Sequence, residues 1–263
     1  MIHLTPWDLV IASVLIILLA ITSLLLQLSI ARQLVIAAIR NVIQLLLIGY
    51  ILKFIFNTSN LFLLAGIASI MLFVAGYEIN ARQKYPLKRW AGFKIGTSAL
   101  FLSSFTMVLL TLMVIVAPTP WYSPQYAIPL LGMLLGNTMN GISLGMDKLN
   151  QSVYQQRAVI EQRLMLGQTY QEAIKEIRSE SIRTGMIPII NSMAIAGLVS
   201  LPGMMTGQIL SGTPPVEAVK YQILIFFLIA SGTGFGIMLA VWMIAKRMFD
   251  DRQRLDLSIL KIK

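Results

Sequence analysis

Residues Leu130 to Met146 read LLGMLLGNTMNGISLGM. The stretch is apolar enough to lie in a bilayer, yet it carries four glycines, two asparagines, a threonine and a serine. A helix that faces lipid has no use for such residues, because hydrocarbon offers no partner for a polar group. At about 100° per residue, Gly132, Gly136, Asn140, Ser143 and Asp147 fall within roughly 80° of arc. Every member of that arc is small or polar. Gly132/Gly136 and Gly141/Gly145 are also two small-xxx-small pairs of the kind that lets helices approach closely. The arc calls for a protein or water neighbour, so the stretch reads as an interior helix of a polytopic membrane protein.

Composition agrees. The 263 residues are 57% hydrophobic and 12% charged, against about 45–50% and about 25% in soluble domains. The net charge of +10 would suggest nucleic acid in a soluble protein; in a membrane protein, Lys and Arg gather on one side and set orientation. No nucleic-acid partner is expected. The chain has no cysteine and one histidine, His3, which excludes a disulfide framework, a thiolate metal site and a His-based triad within one chain. The first apolar run lacks a basic leader region and a cleavage signal, so it reads as a retained span.

A span takes about 20 mostly apolar residues. Seven windows fit: 9–29, 34–56, 61–79, 95–117, 127–146, 187–210 and 221–245. The sixth contains Pro202-Gly203, which would kink or break a helix. With the N-terminus outside, the inner segments carry Arg32, then Arg82, Lys84, Lys88, Arg89 and Lys94. They continue with Lys148, Arg157, Arg163, Lys175, Arg178 and Arg183, and end with a basic tail from Lys246 to Lys263. The outer loop PTPWYSPQY, residues 118–126, has no charge. Trp7, Trp90, Trp121 and Trp242 fall near the expected interfaces, where amphipathic rings settle. The predicted fold is all-α: seven transmembrane helices, N-terminus outside, C-terminus cytoplasmic, with a long cytoplasmic helical segment between helices 5 and 6.

Polar residues within the spans are candidates for a translocation path. Asn137, Asn140 and Ser143 lie on the fifth, and Asn191 and Met204 on the sixth. Two readings stand side by side: the asparagines hydrogen-bond between helices, or their carbonyl oxygens meet a cation in passage. Arg40 in the second span could snorkel or pair with a carboxylate, and Glu78 and Asp147 are the candidates. Glu78 and Arg82 also have the i,i+4 spacing of an ordinary helix-end pair. The 15 methionines suit flexible core packing; thioethers favour soft ions such as Cu(I) and say nothing for iron.

About 40 residues separate the fifth and sixth spans, with nearly balanced charge. Apolar residues recur there at helical spacing, Ile160, Leu164 and Leu166, then Ala173, Ile174 and Ile177, and Gly167 separates the two halves. Such a hairpin either merely connects two spans or docks its apolar side into a groove on a soluble partner. The order Glu161, Gly167, Ala173, continued by Arg183 and Gly185, resembles the cytoplasmic loop of ABC-transporter permeases. Gln162 and Arg163 stand where that motif has two alanines. The wider chain is more specific. LLGMLLGNTMNGISLGMDKL, ESIRTGMIPIINSMAIAGLVSLPGMMTGQILSGTPP and YQILIFF together resemble the FetB-type permease family, bacterial ABC permeases associated with iron export and similar to plant aluminium-tolerance permeases.

That resemblance implies a single permease domain over 1–263 in the bacterial inner membrane, with a coupling segment at 147–186. Glu161, Leu164, Gly167, Ala173, Ile174 and Ile177 would seat on a separate ATPase. It also implies a permease homodimer, a metal-ion substrate, and ATP with Mg bound by the partner subunit. The chain itself has no G-x-x-x-x-G-K-[ST] sequence to cradle phosphates; GFKIGTSA, Gly92 to Ala99, is only an echo of one. No catalytic residue and no bound cofactor are expected in this chain, and which residues contact the metal is left open. The rival reading is a gradient-driven secondary transporter or channel, which normally carries a membrane-embedded carboxylate or His relay. A retinal-type seven-helix protein would need a lysine within its last span, and Lys220 lies at its outer end.

Overall fold

A computed structural model describes residues 5–28, 30–56, 60–88 and 90–261. His3, Ser29, Arg89 and Lys263, which entered the reading above, lie outside them. The helices are α1 (Pro6–Leu25), α2 (Ala31–Phe56), α3 (Leu61–Ala81), α4 (Ala91–Ile115), α5 (Pro124–Gln155), α6 (Arg157–Met165), α7 (Tyr170–Ala173), α8 (Lys175–Ile195), α9 (Gly203–Leu210) and α10 (Pro215–Arg247). The described residues contain isolated bridges but no named strand. The protein is an all-α polytopic membrane protein.

Six of these helices are long and apolar enough to cross a bilayer: α1 to α5 and α10. The window 187–210 is not among them: it is broken, as Pro202-Gly203 suggested, but the break begins several residues before that pair. α8 ends at Ile195, an irregular turn carries Gly197 at φ +82, and α9 restarts with Pro202 as its N-cap. Ala196 turns extended and Gly197 left-handed where α8 ends, and Pro202 keeps the residue before it out of helix until α9 begins.

Contacts divide the chain into two compact units, Met1–Ser59 and Asn60–Lys263. In the first, α1 packs on α2. Most of its large apolar side chains, such as Leu15, Leu18, Leu46 and Leu47, are exposed, as expected where the surroundings are lipid tails.

The second unit is built around α5, α8 and α10. Its centre holds Ile142, Met146, Leu149, Ile237, Val241 and Ile244, all fully buried. Small residues set the spacing. A Cβ on Gly185 of α8 would lie 2.7 Å from the carbonyl oxygen of Gly141 on α5, and one on Gly141 would lie 3.2 Å from the oxygen of Gly185. One turn along, Gly145 faces the Ser181 oxygen at 3.3 Å. Ile237 of α10 closes on all three glycines. The pair Gly141/Gly145 therefore brings two backbones together, whereas Gly136 has nothing within 4 Å and Gly132 meets only the tip of Met71. α4 contains two π-helical stretches, Phe101–Phe105 and Thr111–Ile115. The hydroxyls of Ser103, Thr106 and Thr111 donate to the carbonyls four residues back.

At one end of this unit the basic segments meet. The Lys84 N–H donates to Asp147 at 2.6 Å, Lys88 N–H to the Ile259 carbonyl at 2.7 Å, and Lys261 N–H to the Pro86 carbonyl at 2.8 Å. With the Tyr170 N–H donating to Gln253, the segments between α3 and α4, after α5, and after α10 share a single end. Gly141→Ala should destabilise the protein by about 1–3 kcal/mol through overpacking, while Gly136→Ala should leave stability unchanged. Thermal unfolding of the two variants in detergent checks this; equal behaviour would contradict the close α5–α8 approach.

Candidate functional site

Asn140 sits on an open face of α5, and its carbonyl oxygen accepts from Arg82 Nη1 at 2.7 Å. The same guanidinium reaches Glu78 one turn back on α3, at 3.6 Å. Glu78 is therefore the helix-end partner that its spacing suggested. Asp147, further along α5, accepts from the Lys84 backbone. Asn150, fully buried, donates to the Gln83 side chain at 3.1 Å and to the Tyr85 carbonyl at 2.9 Å.

These bonds strap the α3–α4 connection onto α5. Asn137 is also exposed, and its amide donates to the Met133 carbonyl of its own helix at 2.8 Å. Its carbonyl oxygen therefore stays unengaged among the described residues. Ser143 is buried.

The candidate path residues do not converge on one point. Asn191 is exposed on α8, and among the described residues no hydrogen bond joins it to Asn137 or Asn140. Met204 of α9 lines a separate cavity of about 340 Å³ with Met133, Gln208 and Tyr221. Arg40 lies midway along α2, in the first unit. Among the described residues there is no group of three or more His, Cys, Asp or Glu side chains able to hold a metal ion.

The segment after α5 folds as a tight hairpin. Gly167, at φ +88, ends α6 in a paired cap: its N–H donates to Leu164 O and that of Gln168 to Arg163 O. This is the Schellman arrangement, which needs a residue free to adopt a left-handed conformation. Thr169 then caps α7 and exchanges hydrogen bonds with Glu172. Arg163 ties the two arms, donating to Ala173 O at 3.2 Å and to Glu176 at 3.0 Å. Ala173, Ile174 and Ile177 are buried within the chain, so their apolar side faces inward and leaves no surface for a partner. The most exposed apolar residues of the hairpin are Met165 and Leu166 at the tip, 79% and 84% accessible. Glu161 and Gly167 are exposed beside them, and Leu164 is half-buried.

The C-terminal tail braces this hairpin, a contact that no pattern in the sequence announces. Gln253 accepts from the Tyr170 N–H at 2.9 Å, and Tyr170 packs on Phe249 with ring centroids 5.2 Å apart. Asp250 holds the tail turn by accepting from the N–H groups of Arg252 and Arg254 and from the Arg254 side chain. An aspartate followed two and four residues on by bonded amides is a local turn signal, legible in FDDRQR. A cleft of about 700 Å³ lies between hairpin and tail, lined by Glu161, Leu164, Gly167, Arg252 and Gln253.

Three carboxylates in this region are held below the ordinary range. For Glu172 the causes are the Thr169 backbone and then its hydroxyl; for Asp250 the Arg254 backbone leads, and for Asp256 the Ser258 hydroxyl and then its backbone. Depressed values stabilise the turns fully above the ordinary carboxylate pKa, and the contribution is lost as pH falls through the depressed value. Protection over 168–173 and 250–256, corrected for the intrinsic pH dependence of amide exchange, should therefore hold from about pH 8 to about pH 5 and fall only below about pH 4. Loss of protection already near neutral pH would contradict this.

A family model described as "Uncharacterised protein family (UPF0014)" matches residues 6–249. The chain is 39% identical over 87% of its length to UPF0014 membrane protein slr1647 of Synechocystis, covering 87% of that protein. It is 33% identical to the probable iron export permease protein FetB of Escherichia coli, over 85% of this chain and 84% of that one. It is also 33% identical to the protein ALUMINUM SENSITIVE 3 of Arabidopsis thaliana, over 81% and 76%. No solved structure matches. The chain belongs to the UPF0014 family of membrane proteins.

Proposed function

We propose that the chain is the permease subunit of an ABC transporter that exports a metal ion, with ATP and Mg bound by a separate subunit. The observation that carries this reading is the hairpin tip. Met165 and Leu166 stand almost fully exposed on a capped turn, at the end where the basic segments gather. Two large apolar side chains held rigidly in water fit a groove on a soluble partner. The similarity to the Escherichia coli protein, a probable iron export permease, supports the cargo.

In this reading the shared basic end is cytoplasmic, which the positive-inside rule favours. α8 and α9 together make a broken seventh crossing, with the N-terminus outside and the C-terminus inside the bacterial inner membrane. Two copies form the pathway, and their exposed Asn137 and Asn140 face it. Asn140 has its oxygen taken by Arg82, whereas the Asn137 carbonyl has no partner among the described residues. A passing cation therefore meets Asn137 more readily than Asn140. Iron enters as cargo, not as a resident cofactor.

In iron-loaded vesicles containing the permease and its ATPase, Asn137→Ala should slow ATP-dependent efflux by about 5-fold to 20-fold, on the scale of one lost charge-assisted contact. Asn140→Ala should have the smaller effect. Efflux that persists without ATP and follows an ion gradient would overturn the ABC reading. Wild-type efflux in Asn137→Ala would remove that residue from the path.

A further inference from the structure

A groove of about 570 Å³ lies between the start of α4 and the end of α10, lined by Trp90, Lys94, Ile95, Ser98, Met243 and Arg247. Its two cations come from different helices, and neither has an ion-pair partner among the described residues. No carboxylate lines it. Lys94 and Arg247 are both exposed, so neither is held there by burial. The floor is apolar, from Ile95 and Met243.

Two features fix the level of the groove. Both helices are long and apolar enough to cross a bilayer, and the groove sits at their ends. Trp90 is 65% exposed and set edge-on against Phe93, with ring centroids 5.6 Å apart. Trp242 is exposed near the same end of α10, with Lys246 over its ring. Tryptophans of this kind mark the headgroup region. Further along the same helices, Leu102, Phe235 and Met238 are exposed, an apolar surface that acyl chains can cover. The N-terminal end of α4 adds the partial positive charge of its peptide dipoles.

We propose that this groove binds the phosphate headgroup of an anionic phospholipid. Lys94 and Arg247 flank the phosphate, Trp90 lies at the headgroup level, and the acyl chains run down α4 and α10. Basic pockets between membrane helices bind anionic headgroups in this way. The assignment does not depend on the transport reading.

Native mass spectrometry of the purified protein, titrated with phosphatidylglycerol and with phosphatidylcholine of the same chains, tests it. Each cation contributes roughly a fivefold preference, so phosphatidylglycerol should be favoured about twenty-five-fold. Lys94→Gln with Arg247→Gln should abolish that preference, and Lys246→Gln should keep most of it. Equal binding of the two lipids, or an unchanged preference in the double variant, would overturn the proposal. Displacement of the lipid by millimolar inorganic phosphate would also overturn it, making the groove a site for free phosphate. If the double variant does not fold, brominated lipids decide with the unaltered protein. Tryptophan fluorescence should be quenched more by brominated phosphatidylglycerol than by brominated phosphatidylcholine, and equal quenching would overturn the assignment.

Discussion

The second unit depends on the backbone contact between α5 and α8 at Gly141 and Gly185. In a bilayer no hydrophobic force draws helices together, because lipid tails are as apolar as leucine; close packing and weak polar contacts hold them instead. Glycine on both sides removes the Cβ atoms that would hold the helices apart, and Ile237 fills the remaining space from α10. A methyl group at either glycine has nowhere to go.

That contact links the two regions of interest. α5 carries Asn137 and Asn140 at one level, and it continues through Gln155 toward the hairpin. α8 starts one residue after the buried Ile174 and returns to the same glycines. The hairpin is fixed in turn by Arg163 across its arms and by Gln253 from the tail. The tip and the level of the asparagines are thereby joined by two helices packed backbone to backbone.

The membrane class and the limits of most helices were legible because long apolar runs and basic loops are local signals. The Gly167 turn was legible for the same reason. The role of individual faces was not. Ala173, Ile174 and Ile177 have helical spacing, but periodicity reports that a face is apolar, not which neighbour covers it; here the chain covers it itself. Met165 and Leu166 are the apolar residues of the hairpin left most exposed, and the Schellman cap shows why they project. The two glycine pairs look alike in sequence, yet only Gly141/Gly145 has a close partner helix, since Gly185 and Ser181 lie far along the chain. The break within 187–210 was legible from Pro202-Gly203, but its start at Ile195 was not, because composition does not register where the preceding helix ends.

The exposed tip is the central claim, and a photo-reactive amino acid at position 166 tests it directly. Irradiation of native membranes should give one main adduct, identified by mass spectrometry as a subunit with a P-loop nucleotide site. Its yield should fall when the probe is moved to the buried position 174. Adducts only with lipid or with another copy of this chain would contradict the docking assignment.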